Sequence, residues 1–388
     1  MNADFHYYAT FCAAAFAGYS YEECLKICLS AQFVDLCTRT FISRVKGPGN
    51  AATSQLQSEI ANARTDIFGL QDITRIWASF HFLPRDLYSE VGRGTARYKE
   101  KYHLIRGPNG GLLTDTVTLA KDKGTEAAGL AMHVLADTWA HANFAGTPSL
   151  VINNVDYHFY ERIREDGREI QKKVRFNNNP ATKDNPEKSY YTCSLFQASE
   201  NSVMNLGHGR AGHLPDYSYA RYEYMPAWGD YKLTVKDNPG DYMHAFAQMV
   251  YALRYLRGDY ETFEKDTYDW DAFAPFRQEI QKIFEKRQLD DSEDWKAIGE
   301  VLFELPIPDF DLTECVDEYM KVTAKEEKED TFLGRFFHAA LAQKSMVTAK
   351  IFASGNKLAG YSADPAIPEI RGIQDVRKLV DRNEVKKP

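Results

Sequence analysis

The chain has 388 residues, of which 44% are hydrophobic and 26% charged, with a formal net charge of −8. A chain of this size can bury one large core or two ordinary ones, as a soluble enzyme does. No apolar run approaches the ~20 residues that cross a bilayer, so we expect no transmembrane anchor. The acidic balance disfavours a stable complex with nucleic acid, although bound cations can still attract phosphate locally.

The N-terminal segment MNADFHYYATFCAAAF has no basic region and no recognisable cleavage site, so we predict no secretory signal. The six cysteines are sparse for this length, which by default indicates reduced thiols and a cytoplasmic location. Ser20 and Glu23 have the spacing of a capping box. They predict a helix that begins there and runs towards Asp35, with Gly18 ending the helix before it.

Helical patterns recur in six later segments, at residues 55–80, 114–145, 241–257, 272–287, 293–303 and 331–354. Asp166-Gly167 is a dipeptide favoured in two-residue turns, so we predict a small β-hairpin near residues 158–176, followed by a loop over residues 177–189. The predicted fold is therefore mostly α, a multi-helix bundle. We assign residues 1–310 to one helical domain and residues 311–388 to a helical extension packed on it, with a frayed tail.

Residues 133–141 read HVLADTWAH and place His133, Asp137 and His141 four residues apart on one helix face. At ~1.5 Å per residue the two histidines are ~12 Å apart along the axis, too far for both to bind one ion. The spacing predicts two metal ions with Asp137 between them, provided that the helix continues past Ala142. The alternative is an ordinary buried helix whose imidazoles bond to backbone carbonyls.

Other histidines and aspartates lie in settings that suit metal ligands. The candidates are His6, Asp35, His81, His208, His213 and Asp216. Together with the helical motif they make six histidines and three aspartates, enough for two or three ions. Histidine and carboxylate ligands suit Zn²⁺, with Mn²⁺ and Fe²⁺ as alternatives. Each histidine taken singly also fits a core histidine bonded to backbone. The remaining histidines lack such company and are predicted to be structural or on the surface: His103, His158, His244 and His338.

The order of these residues resembles that of the zinc-dependent phospholipase C and single-strand nuclease superfamily. It also resembles a group of bacterial proteins of unknown function that share FHYY, AQFVD, HVLADTWAH and GHGRAGHLPD. The resemblance covers roughly residues 1–250, and the helical motif is its specific part. It implies one ion held by Asp35, His81, His133 and Asp137, a second held by His141 with His208 or His213 and Asp216, and a third near His6 and Asp137.

The sequence departs from the superfamily pattern at two points. There, the N-terminal residue binds a zinc through its own amine and carbonyl after a signal peptide is removed. With no signal peptide predicted, we expect no such ligand here. In addition, 46 positions separate Asp35 from His81. The polar segment between them predicts an inserted loop or helix.

The predicted function is metal-dependent hydrolysis of a small phosphoester, such as a lipid headgroup or a nucleotide. Metal ions polarise phosphoryl oxygens and lower the pKa of a bound water. The resemblance implies that Asp35 orients or deprotonates that water. One rival is a non-enzymatic metal-binding or structural helical protein whose ions are coordinatively closed. Another is a metallohydrolase of a different bond, because the fold does not fix the substrate.

An aromatic-rich segment follows Asp216 directly. It carries Tyr217, Tyr219, Tyr222, Tyr224, Trp228 and Tyr231. Aromatic side chains mostly fill cores, so we favour core packing. The alternative is that part of the segment forms a wall at the mouth of the site.

Overall fold

The computed structural model describes residues 1–63, 67–90, 95–155, 158–165, 167–179, 181–194 and 202–360. Within these ranges the chain is mostly helical, as predicted. The α-helices are α1 (Thr10–Phe16), α2 (Tyr21–Leu36), α3 (Arg39–Val45), α4 (Gln57–Ala63), α5 (Ile67–Phe80), α6 (Ala96–Tyr102), α7 (Gly111–Ala120), α8 (Thr125–Ala140), α9 (Leu150–Asn153), α10 (Asn238–Arg257), α11 (Arg277–Glu285), α12 (Ser292–Phe303), α13 (Thr313–Lys321), α14 (Lys325–Glu329) and α15 (Phe332–Ala353). No helix in these ranges has the length and hydropathy that a bilayer span requires.

Helix α8 is buried along almost its whole length and packs against α2, α7, α10 and α15. A helix buried on all sides needs small or apolar residues around its circumference, and α8 is rich in alanine. Gly129 permits the close approach of α2, because a Cβ atom there would lie 2.1 Å from the carbonyl oxygen of Ile27. The polar side chains of α8 therefore point into contacts with neighbouring elements rather than into bulk solvent.

The predicted start of α2 is confirmed. The Ser20 side chain accepts from the backbone N–H of Glu23, and the Glu23 carboxylate accepts from the backbone N–H of Ser20. This reciprocal pairing satisfies two N–H groups that the first helical turn leaves free. The helix ends at Leu36, so Asp35 lies in its last turn.

The prediction of a single helix over residues 114–145 is wrong. The chain forms α7 and α8 instead, separated by a short turn. Asp122 and Gly124 have positive φ angles of 60° and 87°, which a continuous right-handed helix does not allow. Helix α8 also ends at Ala140, so His141 is the first residue after it.

The predicted hairpin is confirmed. Strands β1 (Tyr160–Glu165) and β2 (Arg168–Lys173) pair antiparallel. The sheet is larger than predicted, because β5 (Arg221–Tyr224) and β6 (Thr234–Asp237) extend it in the order β2-β1-β5-β6. Two short parallel strands, β3 (Arg175–Asn177) and β4 (Tyr190–Thr192), flank the predicted loop.

The aromatic segment after Asp216 mostly fills a core, as favoured. Tyr217, Tyr219, Tyr222 and Tyr224 are buried in a cluster beside the sheet, whereas Tyr231 is exposed. This aromatic cluster is separate from the main hydrophobic core between the helices.

The helices after residue 310 pack on the rest of the bundle. Helix α15 contacts α5, α7 and α8, and α13 contacts α15. Their buried residues belong to the same hydrophobic core as those of α1 and α2. The predicted tail lies outside the described residues from position 361 onwards.

Candidate metal centre

All the candidate ligands come together around Asp137. His6 lies in a short π-helix (Asp4–Ala9), and the others follow from α2, the end of α5, α8 and the loop before β5. That loop carries two 3-10 turns, Gly209–Ala211 and Leu214–Asp216. The polar segment between Asp35 and His81 forms α3, a 3-10 turn, α4 and α5, and it returns His81 to the end of α2.

Four side chains form the first set, Asp35, His81, His133 and Asp137. Nδ1 of His81 lies 3.3 Å from Nε2 of His133 and 3.6 Å from Oδ2 of Asp137. Nε2 of His133 lies 3.4 Å from the same oxygen, and Oδ1 of Asp35 lies 3.7 and 3.9 Å from the two imidazoles. Ligands at about 2.0–2.1 Å around one tetrahedral Zn²⁺ lie about 3.3 Å from one another. The set therefore has nearly the spacing of a tetrahedral site.

Backbone carbonyls orient the imidazoles of this set. Nδ1 of His133 donates to the carbonyl oxygen of Ala31 at 2.9 Å, and Nε2 of His81 donates to that of Thr53 at 2.9 Å. A carbonyl only accepts, so the proton of each ring lies on its outer nitrogen and the lone pair faces the cluster. This arrangement is typical of metal-bound histidines. The imidazoles do bond to carbonyls, as the alternative hypothesis required, but each with one nitrogen only.

The second set is His141, His208 and Asp216. Oδ1 of Asp216 lies 2.8 Å from Nε2 of His141 and 3.6 Å from Nε2 of His208. The outer nitrogens of these rings donate to the carbonyl oxygens of His81 and Gly212, at 3.0 and 2.7 Å. Although α8 ends before His141, the ring still lies beside Asp137, with Nδ1 3.4 Å from Oδ2.

His213 takes a different position from His208. Its side chain is 60% exposed, and Nδ1 lies 3.1 Å from Oδ2 of Asp216, on the side away from His141. The groups of three close donors in the described residues include His208 and leave out His213. The geometry favours His208 as the ligand that accompanies His141.

The amine of Met1 lies inside the cluster, and the expectation that no terminal amine is present there is wrong. Its nitrogen is 2.8 Å from Oδ1 of Asp137, 3.0 Å from Nε2 of His141 and 3.1 Å from Oδ1 of Asp216. Nε2 of His6 lies 3.2 Å from the same oxygen of Asp137. The expectation linked this amine to signal cleavage, whereas the amine of Met1 itself reaches the site. Met1, His6 and Asp137 thus supply donors for a third position.

Several buried polar atoms at the cluster make no hydrogen bond. They are Nδ1 and Nε2 of His6, Oδ2 of Asp137, and Nε and Nη1 of Arg106. Buried polar groups are normally paired, so a concentration of unpaired atoms is typical of a site that binds an ion or a ligand. The donor set and these unpaired atoms both fit divalent cations.

The protonation states also suit metal binding. Burial lowers the pKa of His6 and of His133 to about 4, so both rings are neutral at pH 7. Burial alone would raise the pKa of Asp137, but the surrounding imidazoles and the terminal amine outweigh it and hold the pKa well below its ordinary value. Burial also opposes the positive charge of the Met1 amine, yet the nearby carboxylates raise its pKa to about 10. Neutral imidazoles and ionised carboxylates are the forms that bind metals.

The cluster is reached from solvent on two sides. The side chains of His6, His133 and Asp137 are fully buried, whereas that of Asp35 is 32% exposed and that of His208 is 16% exposed. Asp35 is therefore the carboxylate that combines proximity to the first set with access to solvent.

The remaining histidines lie outside these groups, as predicted. His103 bonds to the carbonyl of Ser89, His244 bonds to that of Gly240, and His158 contacts Glu223. The sequence analysis missed the Met1 amine and Arg106. The position of His6 five residues after Met1 was a usable signal for the amine, whereas nothing in the sequence around Arg106 marks it.

Comparison with known proteins identifies a family. Residues 1–351 match the model of a family of unknown function, DUF6765, and the chain belongs to it. No curated protein and no solved structure matches the chain.

Proposed function

We propose that this member of the DUF6765 family is a metal-dependent hydrolase of phosphoester bonds. Two or three divalent ions, Zn²⁺ before Mn²⁺ or Fe²⁺, occupy the donor groups around Asp137. The observation that carries the proposal is the first set, because its donors lie 3.3–3.9 Å apart with their lone pairs facing inward. Two such ions supply Lewis acidity and a water of lowered pKa.

The charges of the site support an anionic substrate. Asp35, Asp137 and Asp216 provide three carboxylates, and the buried guanidinium of Arg106 lies beside them. With two or more divalent ions bound, the centre carries a net positive charge although the whole chain is acidic. A small phosphoester, such as a lipid headgroup or a nucleotide, meets that requirement.

Asp35 is the proposed base. It is the exposed member of the first set, so a water molecule beside it can enter from solvent. Its carboxylate accepts a hydrogen bond from the Gln32 amide at 3.4 Å, which orients it. In this role Asp35 takes up a proton from the attacking water and holds that water in line with the phosphorus.

The test uses two substrates, nitrophenyl phosphate and bis-nitrophenyl phosphate. We expect turnover that chelation abolishes and added Zn²⁺ or Mn²⁺ restores. The Asp35→Asn variant should lose about 100-fold or more in kcat, with a smaller change in the binding of inorganic phosphate. Elemental analysis of the variant shows whether the loss reflects chemistry or a missing ion.

Asp72→Asn is the matched control, because Asp72 is similarly exposed at 26% but pairs with Arg39 away from the cluster. Its turnover should equal that of the original protein. A metal-loaded protein that hydrolyses neither ester, and whose ions carry no water, would favour the structural alternative instead.

A further inference from the structure

The side chain of Arg106 reaches the centre from inside the protein. Only 1% of the residue is exposed. Its Nη2 donates to the carbonyl oxygen of Val134 in α8 at 2.9 Å, and its Nη1 lies 3.9 Å from Oδ2 of Asp137. The ring of Phe82 lies 5.9 Å from the guanidinium carbon. Arg106 is therefore a buried cation next to the central carboxylate.

The backbone of Arg106 fixes this position. Its N–H donates to the carbonyl oxygen of Phe144 at 2.8 Å, and its own carbonyl accepts from the N–H of Asn143 at 3.0 Å. An isolated β-bridge joins it to Pro84. These partners lie in the loops that follow α8 and α5, and each loop begins with a candidate ligand. Because backbone groups make these bonds, a side-chain substitution leaves them in place.

The guanidinium is incompletely paired. Nε and Nη1 make no hydrogen bond, and neither does Oδ2 of Asp137. A buried charge of this kind costs free energy unless an opposite charge offsets it. Burial lowers the pKa of Arg106 to about 9, with Asp137 acting in the opposite direction, so the side chain is charged at neutral pH. A guanidinium has no free lone pair and cannot bind a metal ion itself.

We propose that Arg106 is a built-in counter-ion for the metal-free centre and that it lowers the affinity of the centre for metal ions. The inference rests on the metal centre proposed above. Without metal, the guanidinium offsets the buried charge of Asp137. With metal, divalent ions neutralise the same carboxylate, and the guanidinium lies near like charges.

The consequence follows from linkage. A group that stabilises the metal-free protein more than the loaded protein weakens metal binding by the same free energy. The Met1 amine differs from Arg106 in this respect, because an amine can lose its proton and become a ligand. Arg106 keeps its charge, so bound ions exchange more readily with solution.

The test compares Arg106→Met with the original protein and with Arg106→Lys, which retains the charge. Zinc affinity is measured by competition with a chelating dye, and melting temperatures are measured with chelator and with Zn²⁺. In Arg106→Met we expect binding at least about tenfold tighter. We also expect a melting temperature that falls more with chelator than with Zn²⁺. Arg106→Lys should stay close to the original protein in both measurements.

Arg287→Met is the matched control, because it removes an arginine from a buried ion pair with Glu161. It should lower both melting temperatures equally and leave zinc affinity unchanged. Weaker zinc binding in Arg106→Met, or an equal fall in its two melting temperatures, would overturn the proposal. If that variant does not fold without Zn²⁺, Arg106→Gln is measured in the same way. An original protein that binds no Zn²⁺ would instead refute the metal centre itself.

Discussion

Two buried clusters of charged side chains in this protein differ in how their polar atoms are paired. At the sheet, Oε1 of Glu161 accepts from the hydroxyl of Tyr191 at 2.8 Å and from Arg287 at 2.9 Å, and Oε2 accepts from Arg287 at 3.0 Å. The hydroxyl of Tyr219 lies 3.1 Å from that of Tyr191. At Asp137, by contrast, lone pairs face one another and several donors and acceptors are unpaired.

The difference separates a structural role from a binding role. The Glu161 cluster is closed, because its carboxylate already has the partners that its charge requires. The Asp137 cluster gathers three carboxylates and neutral imidazoles at distances that only a shared cation explains well. Burial alone does not distinguish the two, since both Glu161 and Asp137 are 0% exposed.

The strongest way to break this comparison is to make the same kind of substitution in both clusters. Asp137→Asn should remove bound metal and, with it, the stabilisation that metal provides. That stabilisation is about 4 kcal/mol for an ion present at a thousand times its Kd. Glu161→Gln should cost about 2 kcal/mol by leaving Arg287 without its counter-charge, with no change in metal content.

The measurement is the melting temperature of each variant with chelator and with Zn²⁺, together with elemental analysis. We expect the gap between the two temperatures to close in Asp137→Asn and to persist in Glu161→Gln. Equal behaviour of the two variants would mean that the Asp137 cluster is ordinary packing.

The metal-free protein should also show the difference as a dependence on pH. The pKa values of His6 and His133 are lowered to about 4 from an ordinary 6.5, because burial disfavours their charged forms. The unfolded chain therefore binds more protons between pH 6.5 and 4. Stability should fall as the pH is lowered through that window.

A pair of carboxylates opposes this effect. Burial, with the nearby charge of Asp291, raises the pKa of Asp4 to about 7, and burial raises that of Asp291 to about 6. These groups bind protons in the folded protein first, so they stabilise it as the pH falls. Asp4→Asn should therefore steepen the loss of melting temperature in chelator between pH 6.5 and 4. A level temperature over this range in both proteins would contradict the neutral imidazoles.

Sequence patterns were sufficient where the determinants are local. The capping box at Ser20 and the turn at Gly167 depend on neighbouring residues, and both are present. The spacing of His133, Asp137 and His141 also predicted that Asp137 lies between two groups of donors, as it does.

Sequence patterns were insufficient where the determinants are contacts between distant segments. The pairing of β5 with β1, the entry of the Met1 amine and the approach of Arg106 to Asp137 all join residues far apart in the chain. The break between α7 and α8 was missed for another reason, because the positive φ angle at Asp122 has no strong local signal. The choice between His208 and His213 was also left open, since both follow the same motif.

The smallest predicted effect concerns that choice. His213 bonds to Oδ2 of Asp216 from the solvent side, and this hydrogen bond raises its pKa. Its contribution is to orient the carboxylate, so His213→Ala should weaken the binding of one ion by about tenfold, the lower end for a partner of a metal ligand. Zinc content at saturating metal should stay unchanged, because water can replace an exposed imidazole. His208→Ala, which removes a buried donor 3.6 Å from Oδ1 of Asp216, should lower the content by one ion. The reverse result would make His213 the ligand and would require Asp216 to turn outward when metal binds.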